Sequence, residues 1–111
     1  MNHPPQNMAD GIRVIQTTLP GKWIEPEVGE FCQSILDAGA ACVQHSAISS
    51  MYKWEGAIQS EPEWRIQIKV NHSNSKAVIE QINRLHPYET PQIIAWDADA
   101  NEAYKSWIHS F

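Results

Sequence analysis

Hydrophobic and polar residues alternate in blocks whose period changes along the chain, and the changes mark the elements. Ile12 to Leu19 reads as a strand, with Ile12 and Val14 on one face and Ile15 and Thr17 on the other. Pro20-Gly21 ends it. Ile24, Val28, Phe31, Ile35 and Leu36 then fall at helical spacing. Glu25 and Glu27 complement the dipole of that helix, Pro26 suits its first turn, and Gly39 its C-terminal end. Gly29 weakens its interior.

Ala41 to Trp54 reads as a long second strand. Ser46, Ser49 and Ser50 make its middle polar, which predicts a bend or bulge there. Glu55-Gly56 begins a turn, and Ser60-Glu61-Pro62 extends or closes it. Trp64, Ile66, Ile68 and Val70 alternate with Arg65, Gln67 and Lys69, which predicts a half-buried strand in an antiparallel hairpin with the one before. Asn71 to Ser75 offers several N-caps for a second helix carrying Val78, Ile79, Ile82 and Leu85, and Pro87 stops it. Pro91 to Trp96 is a short fourth strand. Asp99 with Glu102 imitates a capping box ahead of a last helix carrying Tyr104, Trp107, Ile108 and Phe111.

The order β-α-β-β-α-β plus a terminal helix is the split βαβ, ferredoxin-like arrangement: α+β, with helices on one face of a four-stranded antiparallel sheet. The length of 111 residues allows one domain, expected over 12–111 behind a flexible tail at 1–11. The tail has Pro4 and Pro5 but no apolar run of the secretory kind, which predicts a cytoplasmic protein. No segment reaches the ~18 apolar residues of a membrane helix.

Charge narrows the function classes. The net charge of -5 argues against a nucleic-acid surface and against a polybasic membrane anchor. Cys32 and Cys42 fit no zinc spacing and read as small apolar residues on a helix and a strand. Five Trp are many for a small monomer core, and Tyr52, Trp54 and Trp64 gather near the hairpin end. With a hairpin longer than its sheet requires, this predicts an oligomer.

The candidate chemistry lies in Leu85-His86-Pro87-Tyr88-Glu89-Thr90-Pro91-Gln92. Two prolines stiffen a segment carrying an imidazole, a phenol and a carboxylate. His86 and Glu89 could share one ion, and the pair suits a borderline cation such as Cu(II) or Zn(II). Gln16, Thr17 or Tyr52 would line the same cleft. The competing reading is that His86 and Tyr88 satisfy backbone groups and pin the helix-to-strand corner. His3, His45, His72 and His109 read as solvated or satisfied polar residues, and Glu61 with Glu63 as a solvated turn. Ser49-Ser50 lacks the setting of a nucleophile elbow, and no Gly-rich phosphate loop is present.

The runs Ala40-Ala41-Cys42-Val43, Ser50 to Ile58 with Tyr52-Lys53-Trp54-Glu55-Gly56, Trp64 to Lys69 and His86 to Ile94 together resemble the CutA family of divalent-cation tolerance proteins. The resemblance covers about residues 12–111 and implies a homotrimer joined through its long hairpins. It implies a role in tolerance to divalent metals, copper above all. It also implies an inter-subunit cleft around Tyr52, Trp54, His86, Tyr88 and Glu89. The family's copper ligands have been placed at a first-strand Cys, a His ahead of the His-Pro-Tyr run and an acidic residue after its second Pro. Those positions here hold Gln16, Leu85 and Gln92, and the first helix also departs at Pro26 and Gly29.

The leading expectation is a non-enzymatic trimer with weak or indirect divalent-metal binding, His86 and Glu89 as ligands, and Tyr52, Trp54, Lys69 and Tyr88 lining the cleft. The alternative is a trimeric signalling or adaptor module that binds a small effector or a partner protein in those clefts, using Lys53, Arg65 and Lys69. An enzyme with Glu89 as base and His86 as acid lacks a nucleophile, an oxyanion donor set and a cofactor loop.

Overall fold

A computed structural model describes residues 11–111 of the chain, so residues 1–10 of the expected tail, His3 included, lie outside the described residues. The elements are β1 (Ile12–Pro20), α1 (Glu25–Asp37), β2 (Cys42–Trp54), β3 (Ala57–Val70), α2 (His72–Leu85), β4 (Ile93–Ala98) and α3 (Glu102–His109). The sheet order is β2-β3-β1-β4, and every pairing is antiparallel. This is the ferredoxin-like order the alternating pattern predicts.

Register decides which residues are buried. Ile15 stands opposite Ile68 on β3 and Ala95 on β4, and Leu19 stands opposite Trp64. That face meets Val28, Phe31 and Ile35 of α1 and Val78 and Ile82 of α2 in the main core. Ile12 alternates to the other face, where α3 brings Ile108 against it. The helices therefore do not all share one face: α1 and α2 cover one, and α3 closes the end of the other.

Local chemistry sets the boundaries. The Glu27 carboxylate accepts the Ile24 N–H at 2.9 Å and closes the start of α1. Asn71 caps α2 by accepting the Ser73 N–H at 3.1 Å. The last helix starts at an Asn101 cap, two residues beyond the expected Asp99. Asp99 is exposed and its side chain makes no capping bond. The fourth strand begins at Ile93 rather than Pro91, because Thr17 on β1 offers the first partner there.

The hairpin departs most from expectation. β2 pairs with β3 one residue to one from Cys42 opposite Lys69 to Trp54 opposite Ala57. No bulge interrupts the serines. Ser60-Glu61-Pro62 belongs to β3 and not to the turn, which is only Glu55-Gly56, with φ of 50° and 79°. Two positive φ values make a tight turn matched to strand twist, and glycine takes the second at no steric cost. Since β1 ends at Pro20 opposite Glu63, residues 49–62 form a two-stranded arm beyond the sheet. The arm raises the radius of gyration to 15.7 Å, against about 13 Å for a compact chain of this size.

Candidate functional site

The cleft lies where the arm leaves the sheet. The 86–92 segment crosses the end of β1 and faces the arm, enclosing a cleft of about 760 Å³. Its lining includes Thr18, Tyr52, Trp54, Glu61, Glu63 and Glu89. Tyr88 and Gln92 also reach it.

His86 holds the corner. Pro87 ends α2, and the His86 N–H still caps it by donating to the Ile82 carbonyl at 2.9 Å. The ring Nδ1 accepts the Tyr88 N–H at 3.1 Å, which places the ring proton on Nε2, and Nε2 donates to the Thr18 carbonyl at 2.7 Å. Both ring nitrogens are thus engaged with backbone, as the pinning reading requires. Burial pushes the imidazole below its usual titration range, against the opposing pull of the Thr18 carbonyl and Glu63. The sign follows: the unfolded histidine takes up a proton near pH 6.5 and the folded one resists it. His86 therefore supports the fold fully above about pH 6.5, and that support is lost as pH falls through its lowered value. Urea unfolding between pH 7.5 and 5 should show this loss, and His86→Gln should flatten the slope while lowering stability at pH 7.5 by about 1 kcal/mol. An unchanged slope would remove His86 as the source.

Two tyrosines meet two glutamates across the cleft. The Tyr88 hydroxyl donates to Glu63 at 2.7 Å, and the Tyr52 hydroxyl donates to Glu61. Burial first, then the Glu63 carboxylate, pushes the Tyr88 phenol well above its ordinary value; the bond to Glu61 raises that of exposed Tyr52. Both phenols therefore stay protonated and remain donors at neutral pH. Glu89 is exposed at the mouth of the cleft.

The sequence-predicted residues divide in this way. Tyr52, Trp54, Tyr88 and Glu89 line one cleft, with His86 behind them. Lys69 does not line it: it lies six residues beyond Glu63 along β3, about 20 Å away, and bonds Gln44. Thr17 does not line it either, because its side chain is fully buried on the helix face; neighbouring Thr18 takes that place. Gln16 bonds Gln92 at 3.4 Å and accepts from Gln67 at 3.3 Å, so the first-strand position is part of a neutral amide row. Leu85 lines a different groove, with Trp23 and Phe31.

Glu61 and Glu63 are cleft-lining residues that the sequence pattern places in a solvated turn. Continuing the Trp64–Val70 alternation backwards puts both on the cleft face, and that is the signal that could have found them. His72 meets Asp97 at 2.7 Å, His109 bonds the Gly11 carbonyl at 2.9 Å, and His45 packs on Trp64. Cys32 and Cys42 are free and half-buried. Among the described residues no group of three or more His, Cys, Asp or Glu converges as a metal cage, and no helix is long and apolar enough to cross a membrane.

Comparison with known proteins gives the family. The family model described as CutA1 divalent ion tolerance protein matches residues 15–110. A divalent-cation tolerance protein CutA from Yersinia pestis is 33% identical over 73 residues, an alignment covering 64% of this chain and 61% of that relative's length. The crystal structure of CutA1 from Oryza sativa superposes with a TM-score of 0.81 at 29% identity, over 94% of this chain and 95% of that one. CutA from Synechococcus elongatus gives 0.81 at 29% identity, over 91% and 89%. A periplasmic divalent cation tolerance protein CutA from Archaeoglobus fulgidus gives 0.80 at 26% identity, over 89% and 96%. The fold agrees with these matches, and the chain belongs to the CutA1 divalent ion tolerance protein family.

Proposed function

We propose that this chain serves tolerance to divalent metal ions, copper among them, by weak and exchangeable cation capture at the cleft. The observation that carries this reading is the charge of the lining: Glu61, Glu63 and Glu89 face one space with no Lys or Arg among them. Glu89 is the first ligand, because it is exposed and its carboxylate makes no internal bond among the described residues. His86 joins as a second donor only by giving up the Thr18 carbonyl, which keeps affinity low. Copper favours nitrogen and oxygen donors of this kind. A small anionic effector, the alternative class, finds no cation in the lining.

The working form in this proposal is a homotrimer joined through the arms, in the cytoplasm. Two features support it: large apolar side chains exposed on the arm, and free cysteines suited to a reducing compartment.

Calorimetric titration with Cu(II) tests the ligand assignment. Binding should weaken several-fold in Glu89→Gln and in His86→Gln, and should fall as pH is lowered because carboxylate and imidazole must both be deprotonated. Unchanged binding in both variants would reject the assignment.

A further inference from the structure

We propose that the arm is held at its root by a two-sided clamp, with Gly21 and Trp64 as positioning residues that set the angle of the arm over the cleft. The clamp belongs to one chain and exists whether or not the cleft takes a metal ion.

Alternation along β3 divides the root between two faces. Pro62, Glu63 and Trp64 are consecutive, so Glu63 points to the cleft face and its two neighbours to the helix face. They sit where β1 stops, since Pro20 stands opposite Glu63 and is the last residue of β1 paired with β3. Beyond that point the arm has only its own two strands. Its angle to the sheet is therefore decided at the root. Five residues of strand, from Pro62 to Ala57, carry any rotation there over about 17 Å to the tip.

A different segment holds each face. On the cleft face the Tyr88 hydroxyl donates to Glu63 at 2.7 Å and ties the 86–92 segment to the arm. On the helix face the turn between β1 and α1 takes hold. The Trp23 N–H donates to the Pro20 carbonyl at 3.0 Å and closes the turn. The Trp23 carbonyl then accepts the indole N–H of Trp64 at 2.9 Å. His45 of β2 packs edge-on against the same indole, with ring centres 5.7 Å apart. Trp23 in turn meets Phe31 of α1, with ring centres 6.3 Å apart, which anchors the turn in the main core.

Gly21 brings the turn against the arm. A Cβ at this position would lie 2.6 Å from the carbonyl carbon of Pro62 and 2.8 Å from its Cβ, and would strike its carbonyl oxygen. The main obstacle is backbone, which cannot rotate aside as the end of a long side chain can. The turn thus presses on the first residue of the arm at a distance that glycine alone permits. Gly29 in α1 meets nothing within 4 Å and serves as the control.

The test is proton–nitrogen NMR of the indole N–H signals of the full chain, each assigned by replacing one Trp with Phe. Gly21→Ala should move the signal of Trp64 and that of Trp54, which lines the cleft from the arm. Solvent exchange of the Trp64 indole proton should rise about tenfold as its hydrogen bond is lost. Trp64→Phe should move the Trp54 signal as well. Trp96 on β4 and Trp107 on α3 should stay in place in both variants, and Gly29→Ala should move none of the four. Trp54 is the decisive signal, because it lies at the far end of the arm, where a merely local loss of packing at the turn has no effect. A Trp54 signal left in place by Trp64→Phe, or by a folded Gly21→Ala, overturns the proposal. So does an equal displacement in Gly29→Ala.

Discussion

A variant with glutamate at both Met51 and Ile58 is expected to run at one third of the mass of the parent chain in light scattering, with its circular dichroism unchanged. Met51 is 75% exposed and Ile58 71%, the two most exposed large apolar side chains among the described residues. Ile58 stands opposite Lys53, so Met51 is its diagonal neighbour on the same face of the arm. Neither belongs to the core of its own chain. Burying each against another copy contributes about 1.5–3 kcal/mol. A carboxylate in either place must be desolvated without a partner, which costs more than the apolar burial contributes. Three copies multiply the loss, while the isolated fold loses nothing. A parent chain that is itself monomeric, or a doubly substituted variant that stays trimeric, would contradict the arm as the joining element.

The second large effect falls on the core. Ile68→Ala is expected to cost about 3–4 kcal/mol in urea unfolding. Ile68 is fully buried between Ile15 on β1 and Val43 on β2, under the two helices. Alanine removes three carbons from a site fixed on both sides by strand pairing, so little can collapse into the space. Against a total stability of about 5–15 kcal/mol, that is a large share. The melting temperature should fall by about 10–25 °C. A cost below about 1 kcal/mol would mean that the sheet and helices pack less closely than the register implies.

Legibility in the sequence follows local contrast. Where one face is buried and the other wet, as from Trp64 to Val70, alternation yields the strand and its facing together. Both long helices are readable from apolar spacing and caps. The arm is not, because both of its faces stand clear of the main core and no burial contrast marks them. Its serines then look like a bulge and its Glu61-Pro62-Glu63 like a turn. Pro62 is tolerated in the strand because β1 has already ended, so β3 is an edge there.

The site is half legible for a related reason. The stiff 86–92 segment stands out by composition, and its corner-pinning role is one of the two readings the sequence leaves open. What it faces across the cleft depends on the register of β3. Placing the arm in a turn therefore hides Glu61 and Glu63, and the one-residue parity of β1 exchanges Thr17 for Thr18. The amide row of Gln16, Gln67 and Gln92 needs three segments brought side by side, which no local pattern reports.

Native mass spectrometry of the full chain, with and without added Cu(II), tests the central claim most directly. The account predicts a homotrimer that takes up copper as the ion is added, gives it up on buffer exchange, and takes up less in the Glu89→Gln variant. A trimer that stays copper-free at every ion concentration would contradict cation capture at the cleft, and a monomer would contradict the assembly proposed to present it.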